Sequence, residues 1–166
     1  MATLTVLALS ASAVQQYTIE PEPTILEKQQ AAIEFIKTLE GLKLFSYPCT
    51  AKRWTIGYGT KSFGSYDENN KPIPGEYISL AEAEERYLSY LHKEVFNRVP
   101  VGLNKRHYAV YASLEYNLGH STAKKLLGSD GTLDCERILL YYNVAGEKDG
   151  GVENRRIKEY NLCKGE

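Results

Sequence analysis

Leu39-Glu40-Gly41-Leu42-Lys43-Leu44, then Tyr47-Pro48-Cys49, then Trp54-Thr55-Ile56-Gly57-Tyr58-Gly59 is the stretch that decides the reading of this chain. It changes period. Before it, Ala32, Ile33, Phe35, Ile36 and Leu39 recur at spacings of three and four, which predicts an amphipathic helix. That helix opens at Thr24 or Leu26, and Gly41 is expected to stop it as a C-cap. After it, aromatic, β-branched and glycine residues over 42–63 predict a short hairpin of two or three strands. An acid, a thiol and a hydroxyl therefore sit on consecutive, folded-back pieces of chain.

Each of the three has an ordinary alternative. Glu40 falls at the carboxyl end of its helix, where the macrodipole disfavours negative charge, and leucines 39, 42 and 44 offer it apolar neighbours. Both effects push a carboxylic acid toward its protonated form, as general acid catalysis requires. It is otherwise one surface glutamate among 21 acidic residues. Cys49 follows Pro48 in a turn and is either a small buried hydrophobe or a group that orients water, acts as a base or attacks. Thr55 is a strand former whose hydroxyl can hold a water or a substrate oxygen. Gly57 and Gly59 either admit a ligand close to the backbone or simply turn the hairpin. No Lys-Ser/Thr follows them, so this is not a phosphate loop.

Outward from the hairpin, Glu20-Pro21-Glu22-Pro23 ends an amino-terminal arm. Residues 2–14 of that arm are uncharged. As a helix they would reach about 20 Å, short of the roughly 30 Å of a bilayer core, so no stable membrane span is expected. Ala11-Ser12-Ala13 has the form of a signal cleavage site, yet no Lys or Arg precedes the apolar run. A strand or disordered arm is the expectation. Residues 64–77 are a polar loop punctuated by Pro and Gly.

Ser79-Leu80-Ala81-Glu82 reads as a capping box. It starts a helix expected to run to about Val99, burying Leu80, Ala83, Tyr87, Leu88, Leu91 and Val95, with Pro100 as the stop. From Lys105 onward three or four shorter helices are expected, broken near Gly119, Gly128–Gly131 and Gly146–Gly151. The fold class is α+β: a small β-hairpin lobe and an all-helical lobe joined by a long helix.

Composition excludes several functions. The 166 residues suit one domain, or one domain with two lobes sharing a connecting helix, and 43% apolar with 25% charged residues is ordinary globular composition. The net charge of −1 supplies no drive toward nucleic acid. Three cysteines make no disulfide framework, and no CxxC or Cys/His spacing suggests zinc, so no metal or cofactor is expected. Cys135 and Cys163 can pair in an oxidising compartment, but separate small apolar residues are the expectation. His92, His107 and His120 are scattered and read as surface or helix residues. The 13 tyrosines suit either a carbohydrate groove or, more plainly, packing at the edge of the core.

The spacing Glu40, eight residues, Cys49, five residues, Thr55 resembles the catalytic Glu-(8)-Asp/Cys-(5)-Thr pattern of phage-type lysozymes and endolysins, glycoside hydrolase family 24. The resemblance continues in order along the chain. Ser79-Leu80-Ala81-Glu82-Ala83-Glu84 looks like the start of that family's interlobe helix. Tyr116-Asn117-Leu118-Gly119 is similar to its Phe/Tyr-Asn-hydrophobic-Gly element. Residues 142–159, with Arg155-Arg156-Ile157-Lys158-Glu159, look like its closing Gly-hydrophobic-x-x-Arg-Arg-x-x-Glu. Coverage is about residues 26–163. The chain departs from the pattern at Thr60, where a His is usual, at Ala51-Lys52-Arg53, which lacks a Gly, at His107, where a Gln is common, and at Glu115 in an apolar helix.

The resemblance implies a lysozyme-like catalytic domain over 26–166, with lobes at about 26–78 and 100–166 joined by helix 79–99, after an arm of residues 1–25. It implies hydrolysis of the β-1,4 bond between N-acetylmuramic acid and N-acetylglucosamine in bacterial peptidoglycan, by a monomer made in the host cytoplasm and acting on the wall. Glu40 would protonate the leaving oxygen, Cys49 would orient or activate water, and Thr55 would hold it. Tyr58, Tyr116 and Asn117 would line the substrate cleft. Arg155 and Arg156 are either structural ion pairs or cleft contacts. A different class stays open: a lysozyme-like wall-binding or virion structural module of faded activity. A peptidase or amidase lacks the metal or triad spacing it would need.

Overall fold

The computed structural model describes residues 21–48, 54–59, 75–144 and 147–166. The residues up to 20, Cys49, residues 50–53, Thr60 and most of the segment 61–77 lie outside the described residues. Helix α1 spans Ile25–Leu39 and begins with a complete capping box. The Thr24 side chain accepts from the Glu27 amide, and the Thr24 amide donates to Glu27 Oε2 at 2.7 Å. The sequence points to a capping box at Ser79, and there only half of one forms. Ser79 accepts from the Glu82 amide, while the Glu82 carboxylate turns to Arg86 instead.

Gly41 does not cap α1. Glu40 itself leaves helical geometry, with φ −96° and ψ 131°, while its amide still donates to Ile36. The helix ends because the chain straightens toward strand β1, Lys43–Pro48, which pairs antiparallel with β2, Trp54–Gly57. The register irregularity lies between Lys43 and Tyr47. A third short segment adds to the outer side of β1: Ser46 donates to the Glu76 carbonyl, and Ile78 to that of Leu44. The expected two- or three-stranded hairpin thus has two full strands and an edge fragment.

The connecting helix α2 covers Leu80–Tyr90. It passes without a break into a π-helical turn, Leu91–Val95, and then a 3₁₀ turn, Phe96–Arg98. Pro100 ends it as expected, and Val99 takes the extended conformation that a following proline imposes. Ala83, Tyr87, Leu91 and Val95 are buried, but Leu80 is 52% exposed at the first turn and leaves the predicted stripe.

Helix α3, Lys105–Leu118, is the centre of the molecule, buried continuously from Tyr108 to Glu115. Helix α1 packs chiefly on α3, and α3 packs also on α6, Gly150–Lys164. Between them lie α4, His120–Ala123, and α5, Cys135–Ile138. The carboxyl-terminal lobe is not all-helical, because β3 (Asn143–Val144) and β4 (Glu147–Lys148) form a two-residue antiparallel ladder.

The core joins Ile36, Ile56, Ile78, Tyr87, Leu91, Tyr108, Tyr111, Leu114, Leu126 and Ile138. Tyr87, Tyr108 and Tyr111 are essentially fully buried, so these three serve packing rather than a groove. Cys135 and Cys163 form a disulfide with Cα atoms 5.8 Å apart, which overturns the expectation of two separate apolar thiols. The two halves come from α5 and the end of α6, elements whose packing sequence spacing does not reveal.

Candidate active site

Glu40 sits where α1 runs out into the hairpin, and its carboxylate does not find the apolar jacket expected from its leucine neighbours. Leu42 is 41% exposed. The carboxylate instead accepts from Arg155 Nη1 of α6 at 2.5 Å, with 16% of its side chain exposed. It is thus anchored from below and open to solvent at one edge.

Arg155 uses its whole guanidinium fork. Nε donates to Glu159 Oε1 at 3.1 Å, one helical turn on, and Nη2 donates to Ser113 Oγ at 3.0 Å. Ser113 closes the ring by donating to Glu159 Oε1 at 2.5 Å. Arg156 donates to Glu159 Oε2 and to Asn117 Oδ1. Two carboxyl groups, Glu40 and Glu159, and two guanidiniums, Arg155 and Arg156, thus meet in one hydrogen-bonded cluster. Burial disfavours the charge of Arg155, but Glu40 and Glu159 outweigh it and hold its pKa above the ordinary value. Arg156 is shifted down, first by burial and then by the adjacent Arg155 charge, which Glu159 and Glu40 only partly offset.

Gly59 covers the other side of the acid. A Cβ at this position would stand 2.9 Å from Glu40 Oε2, and its φ is +77°. The left-handed backbone strains any other residue, and a side chain here would push the Glu40 carboxylate aside. Of the two readings of Gly-Tyr-Gly, close approach therefore applies at Gly59, although what approaches is the chain's own carboxylate.

Thr55 lies in β2, 2% exposed, opposite Tyr47. Tyr58 is buried and its hydroxyl donates to Glu84 Oε1 at 2.6 Å. That hydrogen bond, with burial, pushes the phenol up to about 12. Lys37 pairs with the same Glu84 and lies 5.2 Å over the Tyr58 ring. Tyr116 donates from its hydroxyl to the Tyr58 carbonyl at 2.6 Å, and its rings meet Tyr90 edge-on at 5.3 Å. Burial raises the Tyr116 pKa well above its ordinary value. Both tyrosine hydroxyls are thus committed, that of Tyr58 to α2 and that of Tyr116, from α3, to the backbone just after β2. Asn117 is exposed, with its Oδ1 on Arg156. Cys49 lies outside the described residues.

The anchoring role of Ser113 was missed by sequence reasoning, since a serine in an apolar helix carries no local signal. Arg155 and Glu159 had one: Arg-Arg-x-x-Glu places both arginines within a turn of the acid. Glu115, the odd residue of α3, is buried and bonded to His120 Nδ1 at 3.1 Å. A cavity of about 370 Å³ between α1, α3 and α6 is lined by Ala31, Phe35, Ala109 and Leu162, with Lys105 and Arg106 on its rim. It includes none of the residues around Glu40.

A helical body and a small hairpin lobe, with a single anchored acid where the first helix meets the hairpin, define a lysozyme-like fold. The chain belongs to the phage lysozyme family, whose profile matches residues 37–159. An endolysin of Acyrthosiphon pisum secondary endosymbiont phage 1 is 30% identical over 97 residues, covering 54% of this chain and 58% of that protein. The chain therefore spans little more than half the length of that relative. The endolysin from Escherichia coli O157:H7 phage FAHEc1 superposes with a TM-score of 0.64 at 25% identity, over 81% of this chain and 90% of its own. The muramidase domain of SpmX from Asticaccaulis excentricus shares the fold, with a TM-score of 0.60 at 20% identity, over 81% of this chain and 95% of its own.

Proposed function

We propose that this chain is a glycoside hydrolase of the endolysin type, a muramidase that cuts the β-1,4 bond between N-acetylmuramic acid and N-acetylglucosamine in peptidoglycan. The observation that carries the reading is the Glu40 carboxylate, anchored by Arg155, closed over by Gly59 and exposed along one edge. Such a fixed acid is what proton delivery to a glycosidic oxygen needs. Glu40 is the general acid. Cys49 orients or activates the attacking water, and Thr55 holds that water in place. The separation of acid and water-activating group decides the outcome, since roughly 6.5–9.5 Å leaves room for an inverting water and about 5–5.5 Å favours a covalent intermediate. Arg155 is a positioning residue that acts through Glu40.

Tyr58 and Tyr116 shape the cleft wall through their backbone and ring faces, because their hydroxyls are already used. Asn117 is the exposed polar contact of the three. The protein acts on the cell wall after synthesis in the host cytoplasm. Among the described residues no helix is long and apolar enough to cross a membrane.

The test is digestion of purified peptidoglycan with mass spectrometry of the fragments, with Glu40→Gln in parallel. New muramic-acid reducing ends from wild type alone support the glycosidase and its acid together. Undiminished cleavage by folded Glu40→Gln sinks the mechanism, and binding without cleavage hands the case to a wall-binding module. Cys49→Ala is expected to lose nearly all activity and Cys49→Asp to keep some. Equal rates in wild type and both variants remove Cys49 from the site.

A further inference from the structure

His107, Cys135 and Cys163 meet where the start of α3, the start of α5 and the end of α6 converge. They lie far from one another in sequence, which is why no ligand spacing is visible there. His107 Nε2 stands 3.9 Å from Cys135 Sγ and 3.1 Å from the Cys163 carbonyl oxygen. One ring nitrogen and the two sulfurs all fall within 4.8 Å of one another. Cys163 is 2% exposed, whereas His107 and Cys135 are half-buried and leave an approach from solvent.

In the disulfide state both sulfurs have spent their valence and the imidazole serves only as a partner to the carbonyl. Its Nε2 then carries the proton and donates to Cys163. A disulfide does not need an imidazole at its side. An N,S,S set converging on one point is, in contrast, a ligand group that Zn²⁺ takes readily, with water at the fourth position.

We propose that reduction of the Cys135–Cys163 disulfide converts this cluster into a three-ligand Zn²⁺ site formed by His107 Nε2 and the two thiolates. The reductant is a cellular dithiol. It gives two electrons and two protons to the disulfide and becomes a disulfide itself, leaving two thiols. Zn²⁺ displaces both thiol protons to solvent. The imidazole presents its Nε2 lone pair by carrying its proton on Nδ1. With Zn–S bonds of about 2.3 Å, tetrahedral coordination places the sulfurs roughly 3.8 Å apart. Cα atoms 5.8 Å apart allow that through side-chain rotation. The two states exclude each other, so the same residues staple α5 to α6 covalently in an oxidising compartment and through a metal in a reducing one.

The test does not involve wall hydrolysis, and its failure leaves the muramidase reading untouched. The full chain carrying Cys49→Ser, so that no third thiol interferes, is reduced, freed of reductant without air and titrated with Co²⁺. The expected result is one equivalent bound, with an intense near-ultraviolet thiolate-to-cobalt band and tetrahedral visible bands that added Zn²⁺ bleaches. His107→Ala and, as the gentler change, His107→Gln are expected to weaken binding at least about 10-fold, as lost support of a metal site does. The oxidised protein is expected to show none of these bands. Their absence in reduced, folded protein overturns the proposal. So does equal affinity in either His107 variant, or reduced protein that unfolds and regains no helical dichroism with one equivalent of Co²⁺.

Discussion

Glu40 and Arg155, 115 residues apart, meet at 2.5 Å and so tie the first helix of the fold to the last. The contact does two jobs. It orients the acid, and it satisfies a guanidinium that is only 9% exposed. Lysine cannot replace it, because one ammonium lacks the planar fork that reaches Glu40, Glu159 and Ser113 together. Arg155→Lys is therefore expected to lower kcat by about 100-fold, the scale of a misplaced catalytic group, with KM little changed. Steady-state kinetics on soluble wall fragments check this. A wild-type kcat would mean that Glu40 needs no anchor.

Gly59 makes a sharper demand. Gly59→Ala puts a methyl group 2.9 Å from Glu40 Oε2 at a φ of +77°. The backbone strain alone costs about 1–2 kcal/mol, and the clash moves the carboxylate. Thermal unfolding is expected to shift down modestly while activity falls by about 10-fold or more. An equally shifted Gly59→Ala with full activity would show that the carboxylate tolerates displacement.

How much of this was legible in the sequence follows the distance over which each feature is encoded. Thr24 as an opening residue and the period of Ile33, Ile36 and Leu39 are local signals, and α1 forms where they say. Trp54-Thr55-Ile56-Gly57 likewise gives β2 within a residue. Ser79 misleads at the next level, because Glu82 prefers Arg86 to the backbone amide that a capping box assigns it. Gly41 misleads because Glu40 straightens the chain one residue earlier. Long-range partners were not legible from the residues themselves: Ser113 beneath Arg155 and Cys135 with Cys163 both depend on how α6 docks. Glu40 stood out through its spacing to Cys49 and Thr55, while the groups it touches did not.

Glu115 carries a stability signature. Burial raises its pKa above 4.5, and the nearby His120 and Arg98 only partly oppose this. Below 4.5 the carboxyl is protonated in both folded and unfolded chains and contributes no difference. As pH rises past that value the unfolded chain ionises first. Stability contributed by the proton is then lost until the folded pKa is reached, and above it the native state bears the full burial cost. Glu115→Gln, which can still accept from His120, removes this dependence. Its melting temperature is expected to gain on wild type progressively as pH rises from 4.5 to neutrality. A variant less stable than wild type at neutral pH would show that the contacts to His120 and Arg98 outweigh burial.

Glu84 gives the opposite slope. Its pKa is lowered by the Lys37 ammonium and by the Tyr58 hydroxyl. Its contribution is therefore present above the unfolded value of 4.5 and is lost as pH falls through the lower folded value. Tyr58→Phe removes one of the two donors and costs about 1 kcal/mol at neutral pH. The penalty is expected to shrink on acidification as Glu84 takes up its proton. Melting curves of wild type and Tyr58→Phe across pH 3–7 (roughly the carboxylate range) compare the two, and a penalty independent of pH would assign it to packing alone.

The disulfide sets a final magnitude. Cys135 and Cys163 are 28 residues apart, and the chain-entropy relation gives roughly 3–4 kcal/mol for closing a loop of that size. For a chain of this length each kcal/mol moves the midpoint by about 2–4 °C, so Cys135→Ser with Cys163→Ser is expected to lower Tm by roughly 7–15 °C. The loss falls on the α5–α6 junction, which is remote in sequence from Glu40 but adjoins the helix that carries Arg155. Oxidised wild type, reduced wild type and the double serine variant, melted side by side with a metal chelator present, separate the two contributions. If reduction alone reproduces the serine variant, the covalent link accounts for the whole effect. A reduced protein melting well above the serine variant would place part of the stability in thiol packing, and the entropy argument would then overstate what the link supplies.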